Sequence, residues 1–321
     1  MALNDGKVDL INDVPKANYI DLARFIAIYA VVLGHFAPFV GNANEWGREL
    51  LYMFHVPIFF VVSGMLSKPT SMAKAFFSLM VPYFIYNVIS ILKFDFVALF
   101  TIDALELNNS PTWFFPALFC VKVVGDKISK GVMGYAFMII VLITILDLEE
   151  VEIPRIFGLH AILYALPFFL IGKYLKGKLS SILSFRFSIA IIAMSCLWIP
   201  YVFATFNRFD MYSSQIHNPL VYFLTSILAS LSVLIICNKA FGYIPKKFYD
   251  FIYVNSRGTM FILGTHYIVL GAINKYIMGG SALSFGVKIL IVCLSTIPYY
   301  YVIRYTYNKL PILYGKVKKR V

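Results

Sequence analysis

Charge is scarce in this chain of 321 residues: only 14% are Asp, Glu, Lys or Arg, and no polar stretch is long enough to fold as a separate soluble domain. Cysteine is scarce too. Cys120, Cys196, Cys237 and Cys293 lie in or at the ends of apolar runs, without the close pairs of a zinc site. They read as small buried hydrophobes, so neither a disulfide scaffold nor a resident metal is expected. The first 18 residues are polar and mixed in charge, with no short apolar core before a small-residue cleavage site. A removable leader is therefore not expected, and the first apolar run should stay as its own anchor. No solenoid-type repeat, low-complexity tract or interdomain linker is visible.

What is abundant is apolar. Hydrophobic residues make up 60% of the chain and aromatics 17%, and the mean hydropathy is +0.79. Apolar runs of roughly 17 to 25 residues can each cross a bilayer. The expected fold is all-α, a polytopic transmembrane bundle of about ten spans near 19–40, 50–66, 76–97, 112–124, 132–147, 156–174, 187–206, 218–238, 258–277 and 284–304. The fourth and fifth are short. This divides the chain into an N-terminal segment (1–18), a membrane domain (19–307) and a basic tail (308–321).

The net charge of +12 would point to nucleic acid in a soluble protein, but here the position of each charge matters more. With the N-terminus cytoplasmic, only Arg48, Lys93, Arg155, Arg208, Lys275 and Lys288 of the 28 basic residues fall near the outer side. The positive-inside rule then places both termini in the cytoplasm, with an even number of spans. The basic surplus is a topology signal. It calls for no nucleic-acid partner, though it suits membrane lipid or a phosphorylated cofactor.

Ionisable groups inside a membrane segment usually mark a site. Tyr19 to Phe36, YIDLARFIAIYAVVLGHF, carries both Arg24 and His35. Eleven residues apart on a helix, they share a face and lie about 16 Å apart along the axis. His55 follows in the next span at the same expected depth, and His266, in GTHYIV, is expected near the midplane. His160 and His217 lie nearer the outer boundary and have weaker claims. A histidine can take a proton from a hydroxyl near neutral pH, the task that suits His35. Three histidines on different spans could in principle hold zinc, but none share the i, i+4 spacing of a preformed pair. Arg24 either snorkels to lipid phosphate or binds a phosphate-bearing ligand, and Asp21 stands one turn away as a possible ion-pair partner.

These segments, with FHVPIFFVVSG at 54–64, WFFPALF at 113–119 and NSRGTMFILGTHY at 255–267, closely resemble the acyltransferase-3 family of membrane O-acyltransferases. The nearest likeness is to its fucose 4-O-acetylase-like, or surface-polysaccharide O-acetyltransferase, branch. The resemblance runs from about Tyr19 to Tyr307, and the Arg24 and His35 spacing is its most specific motif.

The resemblance implies ten helices in the inner (cytoplasmic) membrane and acetyl-CoA as the acyl donor. The acceptor would be a hydroxyl of a polysaccharide or lipid-linked oligosaccharide, with glycan-assembly proteins as possible partners. By the same resemblance Arg24 would help hold the coenzyme A phosphates and His35 would be the catalytic histidine. In the direct-transfer scheme that these residues suggest, His55 or His266 would orient His35. His266 could equally bond the acceptor. Some members carry a further hydrolase-like domain; this chain would transfer the group itself or pass it to a separate partner. His35 acts either as general base or as a transient acyl carrier.

Asn255 and Arg257 read as the opening of the ninth helix, where they cap it or meet a phosphate. Ser63, beside Gly64, serves close helix packing or touches ligand. Asn87 reads as interhelical glue or a ligand group, and Trp113 as an interfacial anchor or a wall of the acceptor site. A transporter or flippase of a glycan intermediate is the rival reading from another class, although the two halves show no repeat. A membrane scaffold without chemistry would leave Arg24 and the three histidines unexplained.

Overall fold

The computed structural model describes residues 18–39, 45–94, 110–149, 151, 159–205, 209–211, 215–216, 218–273, 276 and 283–316. His217, most of the outer loop expected at 101–111 and the residues before 18 and after 316 lie outside this set, as does the His160 side chain.

The described chain is helical apart from one short strand pair. Helix α1 (Tyr19–Phe39) leads into α2 (Glu45–Tyr52), α3 (Pro57–Met65) and α4 (Met72–Phe94). A 3-10 turn at Ser110–Trp113 opens α5 (Phe114–Lys127), followed by α6 (Val132–Leu148), α7 (Leu159–Leu175), the single turn α8 (Leu179–Ile182) and α9 (Phe185–Thr205). Two-residue strands β1 (Phe209–Asp210) and β2 (Gln215–Ile216) pair antiparallel, with Asp210 opposite Gln215. Then come α10 (Pro219–Phe241), α11 (Tyr249–Arg257), α12 (Thr259–Ile273) and α13 (Phe285–Thr306).

Among the described residues six stretches are long and apolar enough to cross a membrane: Tyr19–Phe36, Gly47–Met65, Met72–Ser90, Phe185–Val202, Pro219–Phe241 and Phe285–Thr306. Val132–Leu148, Ala161–Leu175 and Thr259–Ile273 are shorter apolar helices. Large apolar side chains such as Phe137, Met138, Leu197 and Leu294 stand exposed on the outside of the bundle, a surface suited to lipid rather than water. Cys196 and Cys293 share that exposed surface, so only Cys237 fits the expectation of a buried small hydrophobe.

The run at 50–66 is not one helix. The chain leaves α2 at Tyr52, turns through residues 53–56 and starts α3 at Pro57. Proline has no N–H to continue the ladder and suits the first helical position, so the break falls just before it. Backbone that breaks at membrane depth is tolerated where it lines a cavity.

Helices α3 and α7 cross closely. A Cβ on Gly64 would stand 2.0 Å from the Phe169 carbonyl oxygen, and one on Gly172 would stand 2.0 Å from that of Val61. Only glycine lets these two backbones approach so closely. Beside this crossing, Lys173 Nζ donates to the Gly125 and Ile128 carbonyls (2.7 and 2.6 Å), capping the end of α5 with a positive charge. Lys176 Nζ donates to Ser67 O (2.7 Å), and Lys122 pairs with Asp126 (3.0 Å).

Buried Ala23, Ala27, Ile28 and Val31 place α1 at the centre, packed against α10, α11, α12 and α13. After α13, residues 311–316 return to the bundle. Tyr86 Oη donates to Leu313 O (2.8 Å), and Tyr314 stacks on Phe261 at 5.5 Å.

Candidate active site

A cavity of about 220 Å³ opens beside α1. Ile28, Val31 and His35 line it from one stripe of α1, and Thr259, Leu263 and Tyr267 line it from one stripe of α12. Eight residues of α12 cover about 12 Å, so the space is long and narrow along the helix axes. Phe59 and Phe114 add apolar wall, and Tyr52, His55 and Trp113 close the His35 end.

At that end the three histidines come together. His35 Nδ1 lies 2.8 Å from His266 Nε2, with the rings stacked at 5.1 Å. His266 Nδ1 faces the carbonyls of Ile262 (3.1 Å) and Leu263 (2.9 Å). Carbonyls only accept, so this nitrogen carries the proton, and neutral His266 offers a lone pair at Nε2. His35 Nδ1–H must then donate to it. The result is a fixed tautomer in which His35 Nε2 is unprotonated. His35 lines the main cavity; His266 lies behind it, wholly buried, against a small apolar space near Val269 and Tyr299.

His55 follows the same rule. Its Nδ1 donates to the Leu51 carbonyl (2.6 Å), which also accepts the His55 backbone N–H (2.9 Å), and this leaves Nε2 as an acceptor. Its ring lies 6.4 Å from that of His35. Among the described residues no group of three or more His, Cys, Asp and Glu has the arrangement of a metal site.

A cationic cluster lies just beyond the other end. Arg24 sits one turn below Ile28, within electrostatic reach of Arg257, Asp21, Tyr253 and Tyr307. It makes no ion pair with any described residue. Asp21, the expected partner, instead accepts from Ser256 Oγ (2.8 Å) and from the backbone N–H of Asn18 (3.1 Å). Arg257 lies over the Tyr253 ring (4.9 Å) and Lys316 over the Tyr307 ring (3.6 Å). Burial, and then the Arg257 guanidinium, hold the Lys316 ammonium below the ordinary lysine value of 10.5. Three cations thus converge where one helix ends and the next begins, an arrangement fit for an anion.

The remaining sequence candidates divide. Trp113 lines the cavity. Ser63 and Asn87 are not among its described lining residues. Asn87 joins α4 to the 3-10 turn, donating to Tyr83 O (2.8 Å) and to Thr112 Oγ1 (3.0 Å). Ser63 is half-buried next to the Gly64 crossing. Asn255 and Arg257 close α11 instead of opening a helix, because α12 begins only at Thr259. Asn255 is fully buried and already engaged: its Oδ1 accepts from Tyr29 Oη (2.6 Å) and its Nδ2 donates to Phe251 O (3.0 Å). Asn255 therefore positions Tyr29 and α11, leaving Arg257 as the anion-facing member of that pair.

Two charged residues at the cavity were not anticipated as site residues. Arg48 of α2 and Asp210 of β1 both line it, 3.6 Å apart. In sequence Arg48 counts only toward topology, and nothing in the chain signals that β1 brings Asp210 to it.

The acyltransferase-3 family model, described as an acyltransferase domain, matches residues 17–305. No curated protein and no solved structure matches the chain. The match covers nearly the whole chain and takes in every helix that lines the cavity, so this multi-pass membrane protein belongs to the acyltransferase-3 family.

Proposed function

We propose that the protein moves an acetyl group from acetyl-CoA, entering from the cytoplasm, to a hydroxyl of a surface or lipid-linked carbohydrate. On this reading it belongs to the surface-polysaccharide O-acetyltransferase branch, crosses the inner membrane ten times and keeps both termini in the cytoplasm. The observation that carries the reading is the pairing of His35, its tautomer fixed by His266, with a narrow cavity ending one turn from three converging cations.

Arg24, Arg257 and Lys316 hold the nucleotide phosphates by charge-assisted hydrogen bonds. The pantetheine arm runs past Ile28, Val31 and Leu263, whose apolar walls exclude water. The thioester then arrives beside His35. Nε2 takes the proton of the acceptor hydroxyl, the oxygen attacks the thioester carbonyl, and the C–S bond breaks as the tetrahedral intermediate collapses. The imidazolium returns its proton to the departing thiolate, so CoA leaves as the thiol. While His35 is charged, its Nδ1–H remains bonded to His266. His266 is a positioning residue in this scheme, since the carbonyls of Ile262 and Leu263 hold its ring and fix which nitrogen of His35 is free.

The test uses membranes containing the protein, acetyl-CoA labelled in the acetyl group, and the surface glycan of the host strain. Base-labile label on the glycan, with an equal amount of CoA thiol released, is the expected result. Rejection of acetyl-CoA and of longer acyl-CoAs would return the cavity to the transporter or flippase reading.

A further inference from the structure

We propose that Arg48 and Asp210, with the indole of Trp113, form the acceptor subsite, and that it takes a neutral sugar presenting neighbouring hydroxyls. This rests on the acyl-transfer reading above and specifies its second substrate.

The two ends of the cavity differ in charge. At the Arg24 end the cations gather with no carboxylate among the described residues at ion-pair distance, which selects an anion. At the other end Arg48 Nη2 and Asp210 Oδ2 lie 3.6 Å apart, so their charges largely cancel. That separation is also too long for a good hydrogen bond. At this distance the two groups do not use up each other's hydrogen-bonding capacity. Arg48 Nε–H is buried and has no hydrogen-bond partner among the described residues. A desolvated guanidinium donor of this kind is costly to leave unmet, which points to a ligand oxygen that meets it.

A hydroxyl both donates and accepts. Two adjacent hydroxyls can therefore accept from Arg48 and donate to Asp210 at once, something neither a carboxylate nor a phosphate can do. Tyr52 fixes the plane of the guanidinium, whose carbon stands 4.6 Å above the ring. The β1 and β2 pairing holds Asp210 in place. Trp113 lines the same cavity, and an indole is a side chain on which the C–H side of a pyranose ring can stack. The subsite also adjoins the chemistry: Arg48 and Asp210 line the same cavity as His35, and the Tyr52 ring beneath Arg48 is 6.3 Å from the His35 ring.

The experiment offers purified protein acetyl-CoA together with p-nitrophenyl hexosides or the matching p-nitrophenyl hexuronides. Acetyl ester on the glycoside is measured alongside the Kd for acetyl-CoA. The intact protein should acetylate neutral hexosides in preference to hexuronides. Arg48→Gln and Asp210→Asn should each raise the acceptor KM about tenfold or more while the acetyl-CoA Kd changes less than about twofold. Should Arg48→Gln not purify folded, Arg48→Lys takes its place: it keeps the charge, loses Nε–H, and should show the same rise.

Three outcomes overturn the proposal: preference for hexuronides with a gain of activity in Asp210→Asn, a parallel loss of donor binding in both variants, or release of CoA with neither kind of glycoside acetylated. If the intact protein binds no acetyl-CoA at all, the acyl-transfer reading itself has failed, and the subsite fails with it.

Discussion

At the residue scale the chemistry is set by which nitrogens carry protons. Two backbone carbonyls fix the proton of His266, His266 fixes that of His35, and Nε2 of His35 is left as the base. Replacing His266 with Phe removes the acceptor for His35 Nδ1–H. The rate of acetyl transfer should fall roughly a hundredfold with acetyl-CoA affinity unchanged, and its pH profile should shift, because the two tautomers of His35 then compete. An unaltered profile would reduce His266 to packing.

At the cationic end, Arg24→Ala should weaken acetyl-CoA binding by about tenfold to a hundredfold in calorimetry and leave binding of acetyl-pantetheine, which lacks the nucleotide, unaffected. Lys316 adds a pH dependence. Its folded value is lowered, so it is charged below that value and loses its proton sooner than a free lysine. Donor affinity should be full on the acid side and decline as pH rises through this window below 10.5, and Lys316→Met should remove that alkaline decline. Arg24, His35, His55 and His266 were legible in sequence because charge inside an apolar run is conspicuous. Arg48 and Asp210 were not: each sits in an ordinary polar context, and only the tertiary fold brings them together.

At the scale of elements, length and hydropathy located the helices but not their interruptions. The run at 50–66 reads as one span until the turn at 53–56 is seen, and that turn places the His55 ring against the Leu51 carbonyl at the end of α2. Likewise, 255–257 has the look of a helix start although it closes α11, since the signal for a new helix comes only after Gly258. Gly64 was legible as a small residue suited to helix packing, but its counterpart Gly172 was not. Adding a methyl group at either site meets backbone at 2.0 Å, which no rotamer change relieves. Gly64→Ala or Gly172→Ala should destabilise the bundle by about 3 kcal/mol, seen as a lower unfolding temperature in detergent, whereas Gly134→Ala, with open space around it, should change little. Equal stability of all three variants would contradict the crossing described here.

Across the whole molecule, the fold sets two unlike environments near opposite ends of one cavity beside α1. One end collects positive charge without ion-pair partners among the described residues, and the other balances its charges among aromatic rings and histidines. The overall class was readable from composition alone, because scarcity of charge over 321 residues leaves few alternatives to a membrane bundle. The cavity was not readable, since it depends on which faces of α1, α3, α10 and α12 meet.

The most direct measurement is the release of CoA thiol from acetyl-CoA by detergent-purified protein, with host glycan present, comparing the intact chain with His35→Ala and measuring the acetyl-CoA Kd of both. The variant should lose about 10²- to 10⁴-fold in rate while binding the donor as tightly as the intact chain. Undiminished turnover in His35→Ala would contradict the central assignment, whatever the rest of the cavity proves to bind.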